Sequence, residues 1–95
     1  MSAATGYQRR TIYYAGRVQG VGFRYATRSL AQQFPVTGYV QNLDDGRVRV
    51  VVEGAADEID RFLSSIAEQM GRYIRHVDVS TAEATGEFEQ FGVER

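Results

Sequence analysis

The chain predicts an α+β sandwich, with two amphipathic helices on one face of a mainly antiparallel sheet of four strands and a short fifth. Three observations carry this. Apolar residues recur at helical spacing in two segments, 23–34 and 59–70. The segments around them concentrate Val, Ile and Tyr, which suit a pleated, half-buried surface. Glycine, proline and an Asp-Gly pair fall between these segments, where turns are needed.

The first strand is expected over 10–18, where Ile12, Tyr13 and Tyr14 are good strand formers. It runs into Gly16, Gly20 and Gly22, which mark a loop. Phe23, Ala26, Leu30, Ala31 and Phe34 then share a helix face until Pro35, which has no N–H to continue the helix. A second strand is expected over 36–42, followed by the Asp45-Gly46 turn signal and a third strand over 47–53 with Val48, Val50 and Val52 on one face. Ile59, Phe62, Leu63, Ile66 and Met70 form the second helix face, with Asp57 and Glu58 near its positive end and Gly71 placed to stop it. Strands over 75–81 and 88–93 complete the chain. The order βαββαβ plus a short strand is the ferredoxin-like split pattern. One domain is expected over 1–95, with residues 1–8 as a flexible N-terminus.

Composition narrows the function. Hydrophobic residues make up 43% of the 95 positions, enough for a core without staples. Cysteine is absent, which excludes disulfides and a cysteine-nucleophile phosphatase. A net charge of −1 and a pI near 5.8 do not suit a general nucleic-acid binder. The chain has no lysine, so neither a P-loop lysine nor a Schiff-base lysine is available. Arginine remains, and its planar fork matches phosphate. Residues 1–6 lack the pattern of a signal peptide, and no apolar run approaches the ~20 residues that span a bilayer. A cytoplasmic protein with no membrane partner is expected.

Topology locates a candidate site. Strands one and two are joined by a crossover helix, so they run parallel with strand three between them. Their carboxyl ends share one rim, and by analogy with open α/β sheets that rim is where ligands collect. The loop Gly16-Arg17-Val18-Gln19-Gly20-Val21-Gly22-Phe23-Arg24 leaves strand one there, and Asn42 closes strand two. Glycines let a ligand approach the backbone closely, and turns of this kind can gather N–H groups into an anion cradle. Arg24 in the first helical turn opposes the helix dipole, which an anion beside it would explain. Spacing alone leaves two readings open: this anion site, or an ordinary strand-to-helix turn followed by a solvated arginine. The loop is neither a Walker A motif nor a dinucleotide fingerprint, since Tyr25 stands where the third glycine would fall.

The same nine residues resemble, unbroken, the signature loop of acylphosphatases, and Gly38-Tyr39-Val40-Gln41-Asn42 matches that family's glycine-x-valine-x-asparagine motif. Asp45-Gly46 and Glu53-Gly54 also fall where the family has a tight turn and a strand end, and the similarity runs from about Thr11 to Val93. The resemblance implies a phosphate cradle from the backbone of Gln19, Gly20, Val21, Gly22, Phe23 and Arg24, with Arg24 as charged clamp and Asn42 holding the attacking water. It implies metal-independent hydrolysis of an acyl phosphate, with no cofactor, and a loop that takes phosphate or sulfate. Carboxylate is a good leaving group, so no covalent nucleophile is needed; the protein has to neutralise phosphate charge and place a water. The Asn42 amide can donate and accept but takes no proton at neutral pH, so the family mechanism sends the proton to the substrate's phosphate. One departure is Gly71-Arg72-Tyr73, where the family often has glycine-proline-alanine; this segment is expected away from the site.

Other residues carry less. His76 is the only histidine and is expected on the surface, facing away from the helices. Asp44 and Asp45 suit a turn, and Tyr13, Tyr39 and Tyr73 suit half-buried positions. An RNA-binding module of this fold would need aromatics on the third strand, and Arg47-Val48-Arg49-Val50-Val51-Val52 has none. A non-catalytic anion-binding module shares the fold, but the presence of both Arg24 and Asn42 favours the enzyme. Carbamoyl-phosphate handling belongs to larger maturation proteins with an acylphosphatase-like segment; with the chain ending at Arg95, a stand-alone enzyme is expected. No exposed apolar helix face stands out, so a monomer is expected.

Overall fold

In the computed structural model, which describes residues 7–95, the sheet is built around β3 (Val48–Ala55). Val48, Val50 and Val52 are buried toward the helices, and Val51 and Glu53 are buried on the opposite face. β1 (Tyr7–Gly16) and β2 (Thr37–Asn42) flank β3, each antiparallel to it. β4 (Ile74–Glu83) pairs antiparallel with β1, and β5 (Phe91–Glu94) pairs parallel with β2, giving the order β4-β1-β3-β2-β5. β1 and β2 therefore run parallel with β3 between them, as the crossover rule predicts. α1 (Phe23–Ala31) and α2 (Ala56–Met70) cover the face carrying Ile12, Tyr14, Val40 and Val50. Phe62 of α2 meets Phe34 and Phe91 at ring-centroid distances of 6.1 and 5.4 Å, which fastens α2 to the turn after α1 and to β5. A fully buried ring of this size stabilises by roughly 2–3 kcal/mol.

Element ends differ from the sequence expectation for local reasons. Tyr7 and Gln8, expected in a flexible N-terminus, pair with Ala55 and Gly54, while residues 1–6 lie outside those described. β1 ends at Gly16, before Val18. α1 ends at Ala31; the N–H groups of Gln33 and Phe34 bond the carbonyls of Leu30 and Ala31, so tighter turns carry the chain to Pro35. Gly71 follows α2 as expected but stays right-handed at φ −57°, opening a 3-10 turn over Gly71–Tyr73.

The helix-free face is tied by a buried acid. Glu53, 4% exposed, accepts hydrogen bonds from Arg9 Nε at 2.7 Å and from the N–H groups of Thr85 and Gly86, each at 2.9 Å. These bonds lay the 84–88 segment over the sheet, where Phe88 packs on Tyr39 and under the Arg9 guanidinium. Burial alone raises the Glu53 carboxyl, but the bonds from Thr85, Arg9 and Gly86 outweigh it and hold the group below its ordinary value. A carboxylate depressed on folding stabilises fully above its unfolded value near 4.5, and the gain is lost as pH falls through the folded value. Glu53→Gln is therefore expected to lose about 2 kcal/mol in urea unfolding at pH 7, with the gap to wild type narrowing at pH 3. An equal gap at both pH values would show that the carboxylate charge is not what holds the segment.

Candidate active site

The loop between β1 and α1 turns through two left-handed residues, Gly20 at φ 79° and Gly22 at φ 81°. A Cβ at either would meet nothing within 4 Å, so backbone conformation, not crowding, calls for glycine. Gly22 is the residue that caps α1 and has no side chain to accept a bond. The first helical bond runs from Ala26 N–H to the Gly22 carbonyl at 3.0 Å, so the N–H groups of Phe23, Arg24 and Tyr25 have no helical acceptor. The first turn of α1 contains no acid, whereas that of α2 contains Asp57 and Glu58. α1 thus keeps a bare positive end and adds Arg24 to it.

Two tethers fix the loop. At its root, Arg17 N–H donates to the Tyr73 carbonyl at 2.9 Å. The Gly71–Tyr73 turn, expected away from the site, is thereby its anchor. Further along, Gln19 Nε2 donates to the carbonyls of Leu43 at 2.7 Å and Arg47 at 3.0 Å, the two ends of the β2–β3 turn. Asp45 locks that turn by accepting from the Arg47 N–H at 3.0 Å and from its Nε at 2.9 Å. The Gln19 side chain, which the sequence reading left without a role, is the strut between loop and turn.

Asn42 ends β2 on the helix-facing side, opposite Val48. It is half-buried, and its Oδ1 is buried with no hydrogen-bond partner among the described residues. Arg24 is half-buried, with Nη1 donating to the Glu94 carbonyl at 3.2 Å. Gly38, which opens the second motif, lies so close to β3 that a Cβ would overlap the Val51 carbonyl oxygen. A cavity of about 220 Å³ collects these groups: Val18, Gly20, Gly22 and Phe23 from the loop, then Arg24, Tyr25 and Asn42. Five of the expected site residues thus meet, while Gln19 and Val21 do not line the cavity. Tyr25, which the sequence reading noted only as a missing glycine, lines it. His76 is exposed on β4, with Nε2 3.1 Å from Asp78 Oδ1, and takes no part. Among the described residues no three His, Cys, Asp or Glu side chains converge as metal ligands.

The arrangement suits a small tetrahedral anion with a water held beside it. Comparison with known proteins agrees. A family model described as acylphosphatase matches residues 10–93. The acylphosphatase of Pseudomonas aeruginosa is 49% identical over 71 residues, covering 75% of this chain and 74% of that protein. That of Salinibacter ruber is 40% identical over 93 residues, covering 96% and 98%. The crystal structure of the acylphosphatase from Bacillus subtilis superposes with a TM-score of 0.82 at 30% identity, over 94% of this chain and 99% of that one. With the loop, the asparagine motif and the topology in agreement with similarity over nearly the whole length, the chain belongs to the acylphosphatase family.

Proposed function

We propose that this acylphosphatase hydrolyses the carboxyl–phosphate bond of acyl phosphates using Arg24, Asn42 and the backbone of the Gln19–Arg24 loop. The observation that carries the reading is one cavity lined by the bare start of α1, by Arg24 and by Asn42, whose buried Oδ1 has no hydrogen-bond partner among the described residues. The phosphate sits against the free N–H groups and Arg24. A guanidinium has five N–H donors, and the bond from Nη1 to the Glu94 carbonyl leaves others for phosphate oxygens. Asn42 holds a water in line with the bond to be broken. As the water oxygen bonds to phosphorus, the phosphorus–oxygen bond to the acyl group breaks, its electron pair leaves as carboxylate, and the water's proton passes to a phosphate oxygen. Arg24 and the N–H dipoles stabilise the charge that spreads over the phosphate oxygens.

A cysteine-free chain needs no oxidising compartment to fold, and we place the enzyme in the cytoplasm and read residues 1–95 as a single domain. We also read it as a monomer, because the exposed large apolar side chains, Tyr7, Tyr25, Val77 and Val79, are divided among three elements. A sedimentation mass well above 10.6 kDa would overturn that.

Hydrolysis of benzoyl phosphate in the presence of EDTA tests the mechanism. Arg24→Ala is expected to lose roughly a thousandfold in kcat/KM and to weaken phosphate inhibition. Asn42→Ala is expected to lose about a hundredfold in kcat with little change in KM, because the water is engaged in the transition state. Near-normal turnover of Asn42→Ala would remove the water-holding role. Gln19→Ala deletes two neutral hydrogen bonds worth about 1 kcal/mol each, so both the thermal midpoint and kcat/KM are expected to fall. A lower midpoint with unchanged kinetics would make Gln19 a fold residue only.

A further inference from the structure

One row of side chains crosses the helix-facing side of the sheet near the start of α1. Tyr14 on β1 lies opposite Val48 on β3, and Val48 lies opposite Asn42 on β2. Phe23, the first residue of α1, connects the row to the helix. Its ring packs on that of Tyr14, with centroids 5.1 Å apart and planes at 54°, and it lines the same cavity as Asn42. Tyr14 and Phe23 are 4% and 1% exposed, so the contact is closed to water and neither ring has room to shift.

The two halves of the site are carried by different elements. Arg24 and the free N–H groups of Phe23, Arg24 and Tyr25 belong to the first turn of α1 and move together with it. Asn42 belongs to β2. The hydrogen bonds of Arg17 and Gln19 fix the loop that precedes α1, while the Tyr14 ring bears on the first residue of the helix itself. We propose that Tyr14 is a positioning residue: its ring sets the height of the α1 start above the Tyr14–Val48–Asn42 row, and so the alignment of bound phosphate with the water on Asn42. The role rests on the catalytic reading above. A leucine in place of Tyr14 is shorter and lets Phe23 settle toward the sheet. Phosphate travels with α1, so its affinity is kept. The water stays with Asn42, so the line of attack is lost. Misplacement of this kind costs turnover steeply, roughly a hundredfold for about 1 Å.

The test is benzoyl phosphate hydrolysis, with inhibition by inorganic phosphate, in wild type, Tyr14→Phe and Tyr14→Leu, well below each unfolding midpoint. Tyr14→Leu is expected to lose about tenfold in kcat with the phosphate inhibition constant within about twofold of wild type, and Tyr14→Phe to keep both. If Tyr14→Leu does not fold, Tyr14→Met, which fills more of the space without a ring, carries the same expectations. In an Asn42→Ala background the loss is expected to shrink below about twofold, because no held water is left to misalign. Ile66→Ala, a buried control on α2, is expected to lower the midpoint and leave kcat within about twofold. An unchanged kcat in Tyr14→Leu, a loss equal with and without Asn42, a phosphate constant that weakens as much as kcat falls, or an equal loss in Ile66→Ala overturns the role. If wild type hydrolyses nothing, the catalytic reading falls and crystal structures decide the positioning on their own. The Cα separation of Phe23 and Asn42 should then differ by about 0.5 Å or more between wild type and Tyr14→Leu, and an unchanged separation overturns the proposal.

Discussion

Val48 has two register partners, and the geometry of the site depends on both. Tyr14 lies opposite it on β1, and Asn42 lies opposite it on β2. Neighbouring strands lie about 4.8 Å apart, so the loop root just beyond Tyr14 and the Asn42 amide start roughly 10 Å apart at one rim. A one-residue slip of β2 on β3 would turn Asn42 to the helix-free face. The β2–β3 turn resists this slip. Leu43 N–H donates to the Arg47 carbonyl at 2.8 Å, and Gly46 N–H donates to the Leu43 carbonyl at 3.1 Å. Gln19 donates to the same two carbonyls, so strand register and loop position are set by one pair of oxygens.

The opposite face of the sheet supports the same rim. A buried carboxylate left without partners is strongly destabilising, which makes the bonds from Arg9, Thr85 and Gly86 to Glu53 a requirement of the fold. They hold the chain just before Gln90, whose carbonyl accepts from Gly38 N–H at 3.0 Å, and from there β5 runs alongside β2. β5 ends at Glu94, the carbonyl partner of Arg24. One side of the Arg24 guanidinium is thus held by a strand whose placement depends on a carboxylate on the far face.

Element order, strand topology and the helix-facing core were legible because they follow from short-range periodicity and turn chemistry. That Arg24, Asn42 and the loop glycines meet at one rim was legible because the loop motif and the parallel β1–β2 arrangement both point there. What stayed hidden depends on partners distant in sequence. Gln8 falls in the expected flexible N-terminus and Arg9 just before the expected strand, and only their pairing with Gly54 and Glu53 makes them strand. Glu53 reads only as the end of the third strand, and its burial comes from the 84–88 segment that covers it. Gln19 carries no helix or strand signal, and its acceptors are backbone oxygens 24 and 28 residues away. Tyr73 was set apart by its departure from the family pattern, but its role lies in its carbonyl, which any residue supplies.

The start of α1 is built against its own stability. A serine or aspartate at the cap is worth roughly 0.3 kcal/mol over glycine, and Gly22 forgoes that side-chain bond. Arg24 opposes the dipole by roughly 0.5 kcal/mol. The left-handed conformations of Gly20 and Gly22 cost chain entropy that a pre-ordered residue would not lose. Each of these is a local rule broken at the cavity, while α2 keeps acids in its first turn. The losses together come to about 1 kcal/mol, less than a single charge-assisted hydrogen bond at about 1.5–3 kcal/mol. In the proposed site a phosphate group facing three free N–H groups and a guanidinium would make several such bonds at once. A side-chain acceptor at Gly22 would occupy the same N–H groups and restore helix stability by filling the place of the ligand. On the proposed reading the missing cap and the anion site are one feature: the fold leaves unsatisfied the donors that a bound phosphate would satisfy.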